Sequence, residues 1–223
     1  MKLKTEKVSV IPELAKIFLP VDKFDSLDIH CLSRDFRKGN QQSEDIDCFL
    51  NFCTSKMTVP LCQEASECTI EQKDSAVWRR LRYLRITASN LHSVAHCKTT
   101  DGSLVDILHG AQLRETAAMA RGTRLESQVL EVVSRQLKIS FQRCGLICVP
   151  QHPIFSASPD AINHTFTVEI KCPSNARSYY NFIDASGKIT SHCNAQVQLQ
   201  MHLSGRKKAL FCVASPQFEK IKK

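Results

Sequence analysis

The sequence predicts an α/β fold in which a central mixed β-sheet is flanked by helices. Residues 165–171 alternate polar and apolar side chains and are rich in β-branched and aromatic residues, which is the pattern of a strand. Residues 116–137 and 192–204 have the length, and carry the apolar spacing, of helices. Strand and helix segments that follow each other along the chain favour a sheet covered by helices.

Two short strands joined by a tight turn are predicted over residues 154–171. The turn falls at residues 161–164, where Asn163 tolerates left-handed backbone geometry. In the second strand the alternation places Glu169 and Lys171 on one face and the apolar residues on the other. The hairpin therefore presents one charged face.

Pairing of these strands brings Asp160 beside Glu169, with Lys171 projecting from the same face. Two carboxylates about 5 Å apart repel by roughly 3 kcal/mol at an effective dielectric of about 20, so a proton, a cation or a metal must offset the repulsion. Oxygen ligands suit Mg²⁺ or Mn²⁺, and a nearby lysine can orient or help to deprotonate an attacking water. The pattern indicates metal-assisted hydrolysis of a phosphodiester, although a surface hairpin with a Glu–Lys pair would have the same spacing.

A basic helix is predicted to begin at Asp74 or Ser75 and to be followed by a short helix at residues 90–96. Its polar faces carry four arginines: Arg79, Arg80, Arg82 and Arg85. Arginines followed by a Ser/Thr cap and a helix N-terminus can bind phosphate oxygens through guanidinium and free backbone N–H groups. The alternative is a basic helix that only faces solvent.

The helix predicted over residues 116–137 carries an acid, Glu126, on a stripe of apolar residues. Burying an unpaired charge is costly. Either the neighbouring stripe of Leu125, Val129 and Val132 is the buried one, or Glu126 meets a cation inside the protein.

Five segments carry a family resemblance in chain order: Trp78…Arg82…Arg85-Ile86-Thr87-Ala88-Ser89, Arg121-Gly122-Thr123-Arg124-Leu125-Glu126, Ser158-Pro159-Asp160, Glu169-Ile170-Lys171-Cys172-Pro173 and Ala195-Gln196-Val197-Gln198-Leu199-Gln200-Met201. Together they resemble the YqaJ viral-recombinase group, relatives of phage lambda exonuclease within the PD-(D/E)XK nucleases. The resemblance runs from about Trp78 to Pro216.

The resemblance implies a restriction-endonuclease-like core in residues 76–223. Residues 1–75 are expected to form a poorly defined, partly helical extension, with candidate helices at residues 11–18 and 44–52. Members of the family usually continue with further helical structure, so we expect the chain to be a fragment or a short version.

The resemblance also implies how an Mg²⁺ or Mn²⁺ site, with two metal ions, is built. Asp160 and Glu169 would bind a metal ion, with the backbone carbonyl of Ile170 as a further ligand. Glu126 would support the second metal or its water. Lys171 would activate or orient the water.

Three further positions follow from the resemblance. Gln196 matches the glutamine that helps to position the water or the metal, whereas Gln198 and Gln200 are expected on the surface. Arg82 and Ser89 match the arginine and serine that hold a DNA phosphate.

The chain departs from the family at one turn position. The usual Ser-Pro-Asp-Gly ends in Ala161 here. If the turn requires a positive φ, alanine is disfavoured by roughly 1–2 kcal/mol, and catalysis could be slowed.

The expected function is divalent-metal-dependent DNA hydrolysis, and the resemblance implies a 5′-to-3′ exonuclease on duplex ends in recombination or repair. An endonuclease of the same fold would use the same acids. A non-catalytic nucleic-acid-binding domain would keep the basic helix and lose the metal. Some relatives assemble as ring-shaped trimers, so a homo-oligomer is a further expectation.

Composition agrees with a nucleic-acid partner. The formal net charge is +8 and the isoelectric point is about 9.0, which favours a polyanion. No apolar run is long enough for a transmembrane helix, and the first residues lack a signal region, so an intracellular protein without membrane contact is expected. The 11 cysteines are expected to be mostly reduced and buried, and the spacing of Cys48, Cys53, Cys62 and Cys68 is poor for zinc.

Overall fold

The structure is a computed structural model that describes residues 22–39, 45–110 and 115–221. The candidate helix at residues 11–18 lies outside this part of the chain. The candidate at residues 44–52 corresponds to a helix at Ile46–Lys56, whose first turn is capped by the Asp45 side chain accepting from the backbone N–H of Asp47.

The described strands are, in chain order, β1 (Ile86–Thr87), β2 (Gln142–Arg143), β3 (Phe155–Ser156), β4 (Ala161–Ile162), β5 (Phe166–Lys171) and β6 (Lys208–Val213). Four of them form one sheet in the order β2-β4-β5-β6. β2, β4 and β5 pair antiparallel, whereas β5 and β6 pair parallel, so the predicted mixed sheet is confirmed. β1 and β3 form a separate parallel pair.

The described α-helices are α1 (Ile29–Gly39), α2 (Ile46–Lys56), α3 (Val59–Cys68), α4 (Ala76–Arg82), α5 (Leu91–Ala95), α6 (Ser103–Leu108), α7 (Ala117–Leu137), α8 (Ala176–Tyr179), α9 (Ser191–Ser204) and α10 (Phe218–Ile221). Short 3₁₀ turns lie at Asp25–Leu27 and Gln72–Asp74. No helix in the described ranges is long and apolar enough to cross a membrane.

The long helix α7 packs its apolar side against β5. Thr116 caps its start by accepting from the backbone N–H of Met119, and the helix ends at Lys138, which is left-handed with φ 55°. Leu125 and Val129 are buried, and Val129 shares a core with Val168 and Ile170 of β5. Leu130 and Val133, on the stripe of Glu126, are partly buried against the same core, so both stripes contact the sheet.

Residues 141–150 contain little strand. They form β2 and an isolated bridge between Ile147 and Ala157. Residues 86–87 precede the short helix predicted at residues 90–96 and form β1. No local pattern predicts this strand, because its partner β3 lies almost 70 residues later in the chain.

Residues 22–75 share a hydrophobic core with the segment that follows them. The buried members of this core are Phe24, Leu27, Met57, Cys62, Ala65, Leu81, Leu146 and Cys148. The first five lie before residue 75 and the last three after it. The helices of this extension therefore complete the packing around α4, although the boundary at residue 75 itself remains a prediction.

None of the 11 cysteines forms a disulfide, and all lie in the described part of the chain. Five are buried, whereas Cys48, Cys68 and Cys97 are exposed. The expectation of buried thiols thus holds for about half of them.

Candidate active site

The hairpin that carries the acids is closed by an asparagine. The Asn163 side-chain oxygen accepts from the backbone N–H groups of Thr165, at 2.9 Å, and Phe166, at 2.8 Å. The turn is therefore shorter than predicted. Ala161 was predicted to lie in the turn, but it is the first residue of β4 and pairs with Val168.

Ala161 is accommodated without the strain considered above. Among the described non-glycine residues a positive φ occurs at Gln72, Leu84 and Lys138, and Ala161 is not one of them. Its side chain is fully buried in the core between β5 and α7. An alanine in place of the usual glycine therefore fits this backbone.

Asp160 stands where β4 begins, against β5. Its Oδ2 atom accepts from the backbone N–H of Ile170 at 2.6 Å. Burial raises the pKa of Asp160 well above its ordinary value, and the nearby charges of Glu169 and Glu126 raise it further. The predicted meeting of Asp160 with Glu169 is thus present in the structure.

Glu169 is 4% exposed and receives three side-chain hydrogen bonds. Its Oε1 atom accepts from Lys171 Nζ and from Gln196 Nε2, each at 2.6 Å. Its Oε2 atom accepts from Gln200 Nε2, also at 2.6 Å. Both oxygens of this carboxylate are therefore fixed by neighbouring side chains.

The surface position expected for Gln200 is wrong. Gln200 is 1% exposed and lies on the inward side of α9, which packs against β5. The signal was present in the sequence, because Gln196 and Gln200 are four residues apart and thus share a helix face. Gln198, in contrast, is exposed as expected.

Lys171 is held as a cation between two partners. Besides Glu169, its Nζ donates to Gln196 Oε1 at 3.2 Å. Burial lowers the pKa of Lys171, but attraction and hydrogen bonding to Glu169 outweigh this effect, so its pKa lies above the ordinary value.

Glu126 approaches the same cluster from α7. Burial raises the pKa of Glu126, the charge of Glu169 raises it further, and Lys171 acts in the opposite direction. Both alternatives posed by the sequence thus apply, since Leu125 and Val129 are buried and Glu126 lies in the field of a cation. The negative charge of Glu169 thus disfavours the ionisation of both Asp160 and Glu126.

The donor set fits a hard divalent cation. Carboxylate oxygens are its preferred ligands, and repulsion among three acids is what such an ion relieves. No group of three or more His, Cys, Asp or Glu residues in the described ranges could hold a metal by itself. An ion here would thus complete its shell with backbone oxygen, water and substrate, as Mg²⁺ commonly does. The Ile170 carbonyl remains a prediction.

Arg121 connects α7 to the end of β5. Its guanidinium donates to the carbonyls of Cys172, at 3.0 Å, and Pro173, at 2.8 Å, and pairs with Glu219 of α10 at 3.1 Å. Sequence reasoning gave this residue no role. The arginine sets the position of the helix that carries Glu126.

Arg82 ends α4 and has no carboxylate partner among the described residues. Its guanidinium stacks on Trp78, 4.0 Å from the ring centroid, and burial lowers its pKa to about 10. Trp78 Nε1 donates in turn to Ser158 Oγ at 2.8 Å, two residues before Asp160. A half-buried guanidinium without a carboxylate partner suits an anionic ligand.

Arg85 must be removed from the set of predicted phosphate contacts. It is fully buried, and its guanidinium donates to the backbone carbonyls of Pro153 and Leu81, at 3.0 and 2.5 Å, and of Leu27. Sequence alone gave no sign that this arginine points inward.

Arg79 and Ser89 are both exposed. Arg79 donates to the carbonyl of Lys73, and Ser89 Oγ lies 3.0 Å from Thr87 Oγ1, just before α5. Their contacts with phosphate stay predictions.

Comparison with known families identifies the chain. The model of the YqaJ-like viral recombinase domain matches residues 77–207, which include every site residue discussed above. The chain belongs to the YqaJ-like viral recombinase family. Among curated proteins, comparison finds no match.

Comparison with solved structures finds alkaline exonucleases. The crystal structure of an alkaline exonuclease (LHK-Exo) from Laribacter hongkongensis is 28% identical, with a TM-score of 0.52 over 62% of this chain and 73% of that chain. The structure of LHK-Exo in complex with dAMP is 29% identical, with a TM-score of 0.54 over 63% and 74%. The fold is therefore the restriction-endonuclease-like fold of the alkaline exonucleases.

Proposed function

We propose that this YqaJ-family chain is a divalent-metal-dependent DNA exonuclease that degrades duplex ends from 5′ to 3′ in recombination or repair. Membership of the family and the likeness to alkaline exonucleases support a DNA exonuclease in recombination. The observation that carries the proposal is the Lys171–Glu169 pair at 2.6 Å, with Asp160 hydrogen-bonded to the backbone of Ile170 between them and Glu126 within electrostatic range of Glu169.

Asp160 and Glu169, with the Ile170 carbonyl, would hold one Mg²⁺ or Mn²⁺, and Glu126 would support a second. A bound divalent ion supplies stabilisation of negative charge on the phosphoryl oxygens and lowers the pKa of water. Glu169 is ready for this role because its two oxygens are already oriented by three donors.

Lys171 would orient the attacking water. Its raised pKa keeps the ammonium protonated at neutral pH, so it donates hydrogen bonds and does not accept a proton. Gln196 contacts both Lys171 and Glu169 and would fix the direction of the ammonium.

Arg82 would bind the DNA phosphate nearest the acids, with Ser89 and Arg79 as further donors. Stacking on Trp78 holds the Arg82 guanidinium in place, and Trp78 is itself tied to the hairpin through Ser158. Arginine suits this task because its planar fork binds phosphate oxygens in pairs.

The test compares linear duplex DNA with covalently closed circles in Mg²⁺. We expect loss of the linear duplex only, release of mononucleotides from a 5′ label before a 3′ label, support by Mn²⁺ and inhibition by EDTA. Cutting of closed circles would replace the exonuclease with an endonuclease of the same fold. Absence of cutting, together with DNA binding that weakens steeply with salt, would indicate a domain that binds without catalysis.

A further inference from the structure

Gln200 occupies a place in the acidic cluster that neither the family resemblance nor the comparisons assign. We propose that Gln200 is a positioning residue that sets the orientation of the Glu169 carboxylate for the divalent metal. The inference rests on the proposed function, because it concerns how strongly that site holds its metal ion.

The contact itself is specific to one oxygen. Gln200 Nε2 donates to Glu169 Oε2 at 2.6 Å, whereas Lys171 and Gln196 both donate to Oε1. Gln200 is therefore the donor that holds the second oxygen, so the carboxylate is restrained from both sides. Without it, the other two donors would hold the carboxylate through Oε1 alone.

The burial of Gln200 points to a role in the site. It is 1% exposed, and its Oε1 atom is buried without a hydrogen-bond partner in the described part of the chain. A buried acceptor without a partner destabilises a fold, and an apolar side chain of the same shape would avoid that cost. A glutamine at this position is therefore explained by its donor, which Glu169 uses.

Helix α9 carries three glutamines, of which two contact Glu169 and one does not. Gln196 and Gln200 lie one helical turn apart and bracket the two oxygens of Glu169. Gln198 lies between them in sequence but is exposed, where it contacts Asn194 on its own helix at 3.4 Å. Gln198 is thus a matched control for the same substitution.

The experiment measures Mn²⁺ affinity by calorimetry on the full chain, with DNA omitted. Gln200→Met keeps the length of the side chain and removes the donor. We expect its Kd for Mn²⁺ to rise by about 10- to 100-fold, the range found for residues that orient metal ligands. Gln198→Met should leave the Kd within about twofold of wild type, because its side chain does not reach the acids.

Thermal unfolding in EDTA separates positioning from a structural role. The Gln200→Met midpoint should fall below that of wild type but stay well above the temperature of the Mn²⁺ titration, because the variant removes a buried acceptor without a partner but also leaves Glu169 Oε2 without its donor. Gln200→Leu removes the same donor but has a different shape. It replaces Gln200→Met in the Mn²⁺ titration if the methionine variant does not fold.

Two outcomes would overturn the inference alone. One is a folded Gln200 variant whose Kd for Mn²⁺ matches wild type while wild type binds Mn²⁺ and degrades DNA. The other is an equal rise of Kd in Gln198→Met. A wild-type chain that neither binds Mn²⁺ nor degrades DNA would overturn the proposed function, and this inference with it.

Discussion

At the scale of single residues, Asp160 is held where its charged form is disfavoured. Burial and the neighbouring carboxylates Glu169 and Glu126 raise its pKa, and a single backbone N–H, that of Ile170, opposes them. The ionised Asp160 carboxylate therefore does not stabilise the fold of the metal-free protein. The site therefore stores unfavourable electrostatic free energy that a cation would release.

Asp160→Asn should make the metal-free protein more stable and the enzyme inactive. The pKa of Asp160 is higher in the folded than in the unfolded chain, so its contribution to stability is present at low pH and is lost as pH rises through the folded value. Asparagine removes that loss while still accepting from Ile170. The variant should thus be more stable than wild type at pH 8 in EDTA.

Urea denaturation at pH 4 and pH 8 checks this pH dependence. The gain should shrink toward zero at pH 4, and Asp101→Asn, on an exposed loop, should show no gain at either pH. An Asp160→Asn protein that is less stable than wild type at pH 8 would show that the carboxyl is paired more favourably than the structure indicates.

At the scale of elements, α7 delivers Glu126 to β5, and Arg121 fixes their relative position. Arg121 is 12% exposed and donates to the carbonyls of Cys172 and Pro173 directly after β5. Arg124 shares the partner Glu219 but is 60% exposed. Comparing the two arginines therefore distinguishes the hydrogen bonds that Arg121 makes to the end of β5 from a surface ion pair with Glu219.

Arg121→Gln should lower the free energy of unfolding by about 1.5–3 kcal/mol, because hydrogen bonds from a buried charged group are lost. Arg124→Gln should cost at most about 1 kcal/mol, since exposed ion pairs contribute little. Chemical denaturation of both variants provides the comparison. Equal losses would mean that the bond to Glu219, and not the contacts with the end of β5, carries the effect.

The elements that the sequence predicted well are those with a long local pattern. The apolar spacing of α7 and α9 and the alternation of β5 were visible, and with them Asp160, Glu169 and Lys171, whereas Gln196 followed only from the family resemblance. β1 and β3 are two residues each and pair across a long stretch of chain, so no local pattern could show them. The burial of Arg85 and of Gln200 likewise depends on tertiary packing between elements, which no local pattern shows.

At the scale of the whole molecule, the nuclease core is not separate from the residues before it. The family match begins at residue 77, yet Phe24 and Leu27 pack with Leu81 and Leu146 in one core. The carbonyl of Leu27 also accepts from the buried Arg85 guanidinium. The extension thus supports α4, which carries Arg82.

Leu27→Ala should lower the free energy of unfolding by about 2–5 kcal/mol, because Leu27 is fully buried in a packed core. Ile46→Ala is the control, since Ile46 is 60% exposed and its truncation should cost about 0.5 kcal/mol or less. Urea denaturation measures both. A Leu27→Ala protein as stable as wild type would mean that the extension folds independently of the core.

The most direct measurement is the rate of nucleotide release from linear duplex DNA in saturating Mg²⁺, with wild type, Glu169→Gln and Glu131→Gln. Glu169 lies at the centre of the acidic cluster, whereas Glu131 is an exposed acid on α7 that pairs with Arg135. We predict a rate at least about 100-fold lower for Glu169→Gln and an unchanged rate for Glu131→Gln. A folded Glu169→Gln protein that degrades DNA at the wild-type rate would contradict the assignment of the active site to this hairpin.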